Sequence, residues 1–236
     1  MIALVQHTQL DQSTPVTSVN LPYVSNVVAG DLLICVVRGA GTLTGITITD
    51  SQGNTWHNCT FHAVTGLSLQ ISYAIAGSSS ANTVTVTPNA SSALRIAIFE
   101  YSGAATSSPL DVENNNQTGS STAPAAAPVT PVNASSLVIG AAAVASLVTF
   151  TAGTNFTLEE QVPTGASNGK LGVEDWIQTT ALLTTAPVSL NISDTWLAAI
   201  AVFKPAGGGG GTPLIAIDFT PGAGGTGLPC GNTVAW

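Results

Sequence analysis

The chain has 236 residues, of which 44% are hydrophobic and only 7% charged, with 4 Lys plus Arg against 12 Asp plus Glu and a formal charge of −8. That much apolar material excludes a wholly disordered chain. Four cations cannot build a phosphate-neutralising face, so no nucleic-acid partner is expected.

The segment Met1-Ile-Ala-Leu-Val-Gln-His-Thr lacks the basic, apolar and small-residue regions of a secretory signal, which predicts release in the cytoplasm or exit by a route that reads no such signal. Almost no segment carries a 3.6-residue apolar period. Runs rich in Val, Ile and Thr, bounded by Gly, Asn, Ser or Pro, predict strands near 2–9, 15–24, 31–38, 45–49, 55–64, 67–76, 83–87 and 94–101. A second set falls near 109–113, 128–132, 137–150, 156–161, 170–178, 188–192 and 197–203. Asp50-Ser-Gln-Gly-Asn54 between two runs is a turn signal. The longest apolar stretch, Leu137 to Gly153, is diluted by Gly, Ser, Thr and Ala and reads as two buried strands joined by a bend, so no membrane span is expected.

The two sets resemble each other. Gly53-Asn-Thr-Trp56 matches Gly153-Thr-Asn-Phe156, Tyr73 falls opposite Trp176, and Leu94–Phe99 matches Leu197–Phe203, with a period close to 104 residues from Val84 to Val188. The predicted class is all-β. The repeat halves, about 31–103 and 137–204, are expected to interleave as one jelly-roll-like antiparallel two-sheet sandwich over residues 1–206. Two small sandwiches in tandem are the alternative. Residues 114–131, rich in Asn, Ala and Pro, read as a surface crossing between the halves, and Gly207 to Gly211 as a flexible linker.

The tail, 212–236, holds one strand-like run with Ile215, Ile217 and Phe219, then Cys230 and a terminal Trp236. A strand beyond a flexible linker has no core of its own, so it folds back or adds to a sheet edge of another chain. These five residues are the candidate assembly interface, together with the first strand. Cys230 is a free thiol or a staple between subunits, and Trp236 suits an anchor in a neighbour's pocket.

Signals for chemistry are weak. His57, Cys59 and His62 suggest a metal, but alternation along a strand puts His62 on the face opposite His57 and Cys59, so no metal site is assigned. Glu159-Glu160 and Glu174-Asp175 lie on neighbouring predicted strands; the plainer reading is solvated positions. Asp50 with Asn54 could ligate Ca²⁺, yet such turns are common in β proteins. No GxSxG, HExxH or phosphate-binding loop occurs, so neither an enzyme nor a cofactor is expected. Trp56, Tyr73, Trp176 and Trp196 read as core.

The motifs DSQGNTW, SYAIAG, TVTV, IFEYSGAATSSPLD, LVIG, TAGTNFTLEE, VEDW and WLAAIAVFKPAG resemble those of low-charge β-sandwich proteins of environmental bacteria and their phages. The similarity spans about residues 30–206 and leaves the tail out. It implies surface display or virion assembly and carries no active site. The leading expectation is a non-enzymatic structural protein on a phage particle, a head decoration protein or short fibre. It would form a homo-oligomer, a trimer or a polymer, and contact other virion or surface-lattice proteins. The alternative is a subunit of a bacterial extracellular filament or adhesin with the tail as donor strand. A weaker alternative, a carbohydrate-binding module for cell-surface glycan, needs Trp and Tyr aligned on one exposed sheet face.

Overall fold

A computed structural model describes residues 1–165 and 169–207, with the main chain alone at 115 and 116. The first half contributes β1 (Ala3–Val16), β2 (Val19–Pro22), β3 (Leu32–Ala40), β4 (Ile46–Asp50), β5 (His57–Val64), β6 (Leu67–Ile75), β7 (Thr83–Pro88) and β8 (Ser92–Ser102). The second contributes β9 (Leu110–Ser121), β10 (Ser136–Val144), β11 (Phe150–Thr151), β12 (Thr157–Val162), β13 (Leu171–Gln178), β14 (Ser189–Leu190) and β15 (Asp194–Phe203). All strand pairs are antiparallel.

The sheets follow the halves. One five-stranded sheet has the order β1-β8-β3-β6-β5, and the other has the order β12-β13-β10-β15-β9. A three-stranded sheet, β2-β7-β4, covers the first, and the two-stranded β11-β14 with its flanking loops covers the second. The large sheets pack against each other through their remaining faces, giving four layers. The expected interleaving is therefore incorrect, because every strand of each sheet comes from one half.

The reason is written in the strands. A strand in a two-layer sandwich alternates between core and solvent, whereas Leu-Leu-Ile-Cys-Val-Val of β3 and the run Ser136–Val144 of β10 are buried at every position. Both of their faces need cover, which two layers cannot supply. Leu33, Cys35 and Val37 accordingly pack on Val84 and Val86 of the outer sheet, while Leu32, Ile34 and Val36 face the other half. In the second half, Val138 and Ala142 meet Phe150 and Leu190.

The central core joins the aromatic and aliphatic side chains of the first half to a mixture of alanines and larger aliphatics, including Leu137, Ile139, Leu171 and Leu197, from the second. Leu69, Ile71, Tyr73, Phe99 and Tyr101 lie in one cluster with Ala141, Ala143, Ala199 and Ala201. Phe203, the one aromatic ring that the second half places in this cluster, meets Tyr73 edge to face, with ring centroids 5.4 Å apart at 71°.

Individual elements depart from expectation for local reasons. β1 continues past residue 9 because it is ladder-paired to β8 as far as Val16. The predicted 15–24 strand is cut near Thr17, where the chain leaves one sheet for the other. Residues 128–132 make one bridge, Val129 to Thr184, because Pro128 and Pro131 cannot donate to a ladder. The first part of the expected crossing is the edge strand β9, paired to β15. The stretch 137–153 contains β10, a bend and β11, and no helix among the described residues is long and apolar enough to cross a membrane.

Removing the Phe203 ring should destabilise the fold by about 3–5 kcal/mol in Phe203→Ala, whereas Leu183→Ala, in an exposed loop, should cost under about 0.5 kcal/mol. Urea unfolding of the two variants measures both.

Candidate functional site

The two large sheets meet at one rim where β1 and β8 lie against β12 and β13. His7, on β1, contacts Glu160 Oε1 through Nδ1 at 2.8 Å, and its Nε2 lies 4.0 Å from Glu159 Oε2. Its ring stacks on Phe99 of the neighbouring strand at 5.9 Å and 8°. A bulge in β12 between Leu158 and Glu160 explains why two consecutive glutamates reach one histidine, since the extra residue breaks the alternation of faces.

Deeper in the rim, the Tyr101 hydroxyl donates to Asp175 Oδ2 at 2.9 Å, and Asp175 is hydrogen-bonded to Glu159. That contact favours the protonated form of Asp175. Burial pushes Asp175 up to about 6; the Tyr101 hydroxyl works against this, and the charge and hydrogen bond of Glu159 add to it. Burial also raises Tyr101 well above the ordinary phenol value, reinforced by the charge on Asp175. The rim is thus a polar seam across the two halves, in which Asp175 keeps its proton up to about pH 6. The solvated reading of these carboxylates does not hold.

Three further buried carboxyls lie off the seam. Glu174 faces the second outer layer, where Gly140 leaves room for it. Its Oε2 accepts the Gly153 N–H at 2.8 Å, while Oε1 is buried without a partner among the described residues. Burial pushes this carboxyl up to about 7, with the Gly153 bond opposing. On the other side, Glu100 accepts from Val28 N at 2.7 Å and from Gln6 Nε2. Burial, then the hydrogen bond and charge of Glu100, push Asp31 up to about 6.

Asp50 behaves in the opposite way. Burial opposes its charge, but hydrogen bonds from Asn82, Asn54 and Trp56 outweigh this and hold the carboxyl below its ordinary value. Its oxygens take five donors, including Trp56 Nε1 at 2.9 Å, so the group orders the turn and leaves little coordination for a cation.

The remaining sequence candidates scatter. Ile215, Ile217, Phe219, Cys230 and Trp236 lie outside the described residues. A bulge between Asn58 and Thr60 corrects the expected face of His62. His57 pairs with Tyr73 and His62 with Leu69, both in the central core, so the two histidines share a face. Four partner residues still separate them by about 13 Å, and no metal-holding cluster occurs among the described residues. Tyr73 and Trp196 are buried, and Trp56 and Trp176 are half-buried against the outer cores. They form no exposed aromatic row. His7 and Tyr101 carried no local signal, since only the pairing of distant strands brings them to the glutamates.

No protein-family model, curated protein or solved structure matches this chain.

Asp31, Glu174 and Asp175 all hold their protons more tightly folded than unfolded, so the stability they contribute is full below about pH 4 and is lost as pH rises through about 6 to 7. The urea midpoint should therefore fall between about pH 5 and pH 8, and Glu174→Gln should flatten that fall and raise the midpoint at the alkaline end.

Proposed function

We propose that this chain is a non-enzymatic structural subunit displayed on a virion surface, as a head decoration protein or short fibre. The observation that carries the reading is the near absence of surface charge. Among the described charged residues only Asp11 and Glu113 are exposed, and Asp31, Arg38, Arg95, Glu100, Lys170 and Glu174 are buried. Exposed Asp11 is itself paired with Arg95 at 2.9 Å. A surface of hydroxyls, amides and glycine lets copies or lattice neighbours approach without the repulsion that keeps charged proteins apart.

The strand order supports the same reading. In the first half, β1-β8-β3-β6 stacked on β2-β7-β4 follows a jelly-roll path, and β9-β15-β10-β13-β12 repeats the order β1-β8-β3-β6-β5 strand for strand. We read the chain as a tandem of two jelly-roll-like units from a duplicated sequence. Jelly rolls serve viral capsids as well as lectins, an analogy of fold alone. The first residues of the chain and the last residues of the second half also meet. Ala206 N bonds Gly103 O at 2.8 Å, and a side chain at Gly103 would strike the Met1 carbonyl. Residue 206 thus lies beside the start of the first strand.

The filament or adhesin reading is favoured by one feature, the long outer edge of β9, whose only ladder partner among the described residues is β15. A donor strand from a neighbour pairs with such an edge.

Light scattering on the full chain should give a defined small oligomer that is lost when 212–236 are deleted; its loss on reduction alone would place Cys230 in the contact. Open-ended polymers would favour the filament reading. A monomer that persists at all concentrations contradicts assembly through the tail.

A further inference from the structure

The outer sheet of the first half ends at β4, whose only ladder partner among the described residues is β7. Neighbouring bonds fix the direction of its backbone groups. Asn89 N bonds Gly45 O at 3.1 Å and Ser51 N bonds Thr83 O at 3.0 Å, so the odd-numbered positions along this strand and its flanks exchange hydrogen bonds with the β7 side. The N–H and C=O groups of Ile46 and Ile48 therefore point the other way, off the edge of the sheet. One of these groups is met from below: Gln70 Nε2, on the face of β6 that lies under β4, donates to Ile46 O at 2.9 Å. Ile48 has no hydrogen-bond partner on that side among the described residues.

Three features set this edge apart. First, Ile-Thr-Ile-Thr-Asp carries none of the usual guards of an edge strand, neither Lys nor Pro nor a bulge, and its one charge, Asp50, is held by the turn that follows. Second, a cavity of about 170 Å³ lies against the edge, bounded by Ile46, Ile48, Trp56, Asn58, Gln70 and Ser72. It separates β4 from the outward faces of β5 and β6 in the sheet below. Third, Gln70 is 1% exposed and only half satisfied: Nε2 also donates to Ser72 Oγ at 2.9 Å, while Oε1 is buried with no donor among the described residues. A buried acceptor left unmatched costs about 1–3 kcal/mol, which an incoming donor recovers.

A partner for this place must supply backbone groups to Ile46 N–H and to Ile48 N–H and C=O. It must also present a short side chain that donates a hydrogen bond inward, and no charge, since no Asp, Glu, Lys or Arg lines the cavity. An extended polypeptide with Ser or Thr at the inward position meets all three demands. We propose that β4 accepts an added strand from another polypeptide, an uncharged Val- and Thr-rich segment paired to Ile46 and Ile48, with an inward hydroxyl donating to Gln70 Oε1. Main-chain bonds to the edge supply the affinity, and the cavity beneath selects the side chain. This edge belongs to the outer sheet of the first half, apart from β9, and the proposal holds whichever way copies of the chain assemble through 212–236.

The test is amide-resolved NMR of the full chain, titrated to millimolar concentration with the blocked peptide acetyl-Val-Thr-Val-Thr-Val-amide. Two comparison peptides are the same sequence N-methylated at every residue and the same sequence with Ala for Thr. Saturable shifts centred on the Ile46 and Ile48 amides are expected with the first peptide and none with the N-methylated one. The Ala peptide should bind about fivefold more weakly, the loss of one hydrogen bond. Asn58→Tyr, at an exposed position on the cavity rim, should fill the groove and abolish the shifts with the thermal midpoint close to that of the parent chain. In Gln70→Met the Thr and Ala peptides should bind alike. No saturable shift at those two amides, an equal response to the N-methylated peptide, or binding unchanged in Asn58→Tyr would overturn the proposal. Loss of assembly with peptide binding retained would count against the virion reading alone.

Discussion

The contact between the two five-stranded sheets is the constraint on which the rest of the molecule depends. Each of those sheets is apolar on both faces, so neither half can be stable with one covering layer. The outer faces are served by the small sheets within each half, and the inner faces have only each other. Fully burying a Leu, Ile or Phe side chain is worth about 1.5–3 kcal/mol, and the central core holds many of them, including Leu32, Ile34, Leu69, Ile71, Phe99 and Phe203. The connection between halves follows from this: residues 103–109 run beside 204–206, with Ala105 N bonded to Lys204 O and Lys204 N to Pro109 O, and fasten the two units where they enter and leave the core.

The same packing decides where the charges go. With so few charged residues, each has an outsized effect, and most sit where sheets meet and not on the outside. His7, Glu159, Glu160, Asp175 and Tyr101 form the rim of the central core. Asp31 and Glu100 sit beneath the first outer layer, and Glu174 beneath the second. Protons near neutral pH are therefore coupled to the layer contacts, while the exterior is left nearly uncharged. A nearly uncharged surface suits the displayed body that we propose.

Much of the fold was legible in the sequence, because Val, Ile and Thr runs with turn residues between them mark strands with little ambiguity. The all-β class, the bend after Val144 and the core placement of Tyr73 and Trp196 follow from local pattern. The layer count was present too, in the unbroken apolar runs Leu32–Val37 and Leu197–Phe203, which alternate with nothing polar and so ask for cover on both sides. Interleaving one sandwich from the two halves overlooked that demand. The seam was not legible. Two bulges, after Asn58 and after Leu158, reverse the faces that strict alternation assigns to His62 and to the glutamate pair, and no residue type at those positions announces a bulge. The partners His7 and Tyr101 lie far from the carboxylates in sequence and meet them only through the packing of separate sheets.

If the central interface is what both halves rely on, they cannot melt separately. Differential scanning calorimetry of the full chain measures this directly. A single transition is predicted, with calorimetric and van't Hoff enthalpies in agreement, and it should shift downward as one peak when Phe203 is replaced by alanine. Two resolved transitions, of which only the second-half one moves in Phe203→Ala, would show that each half stands on its own and would contradict the account.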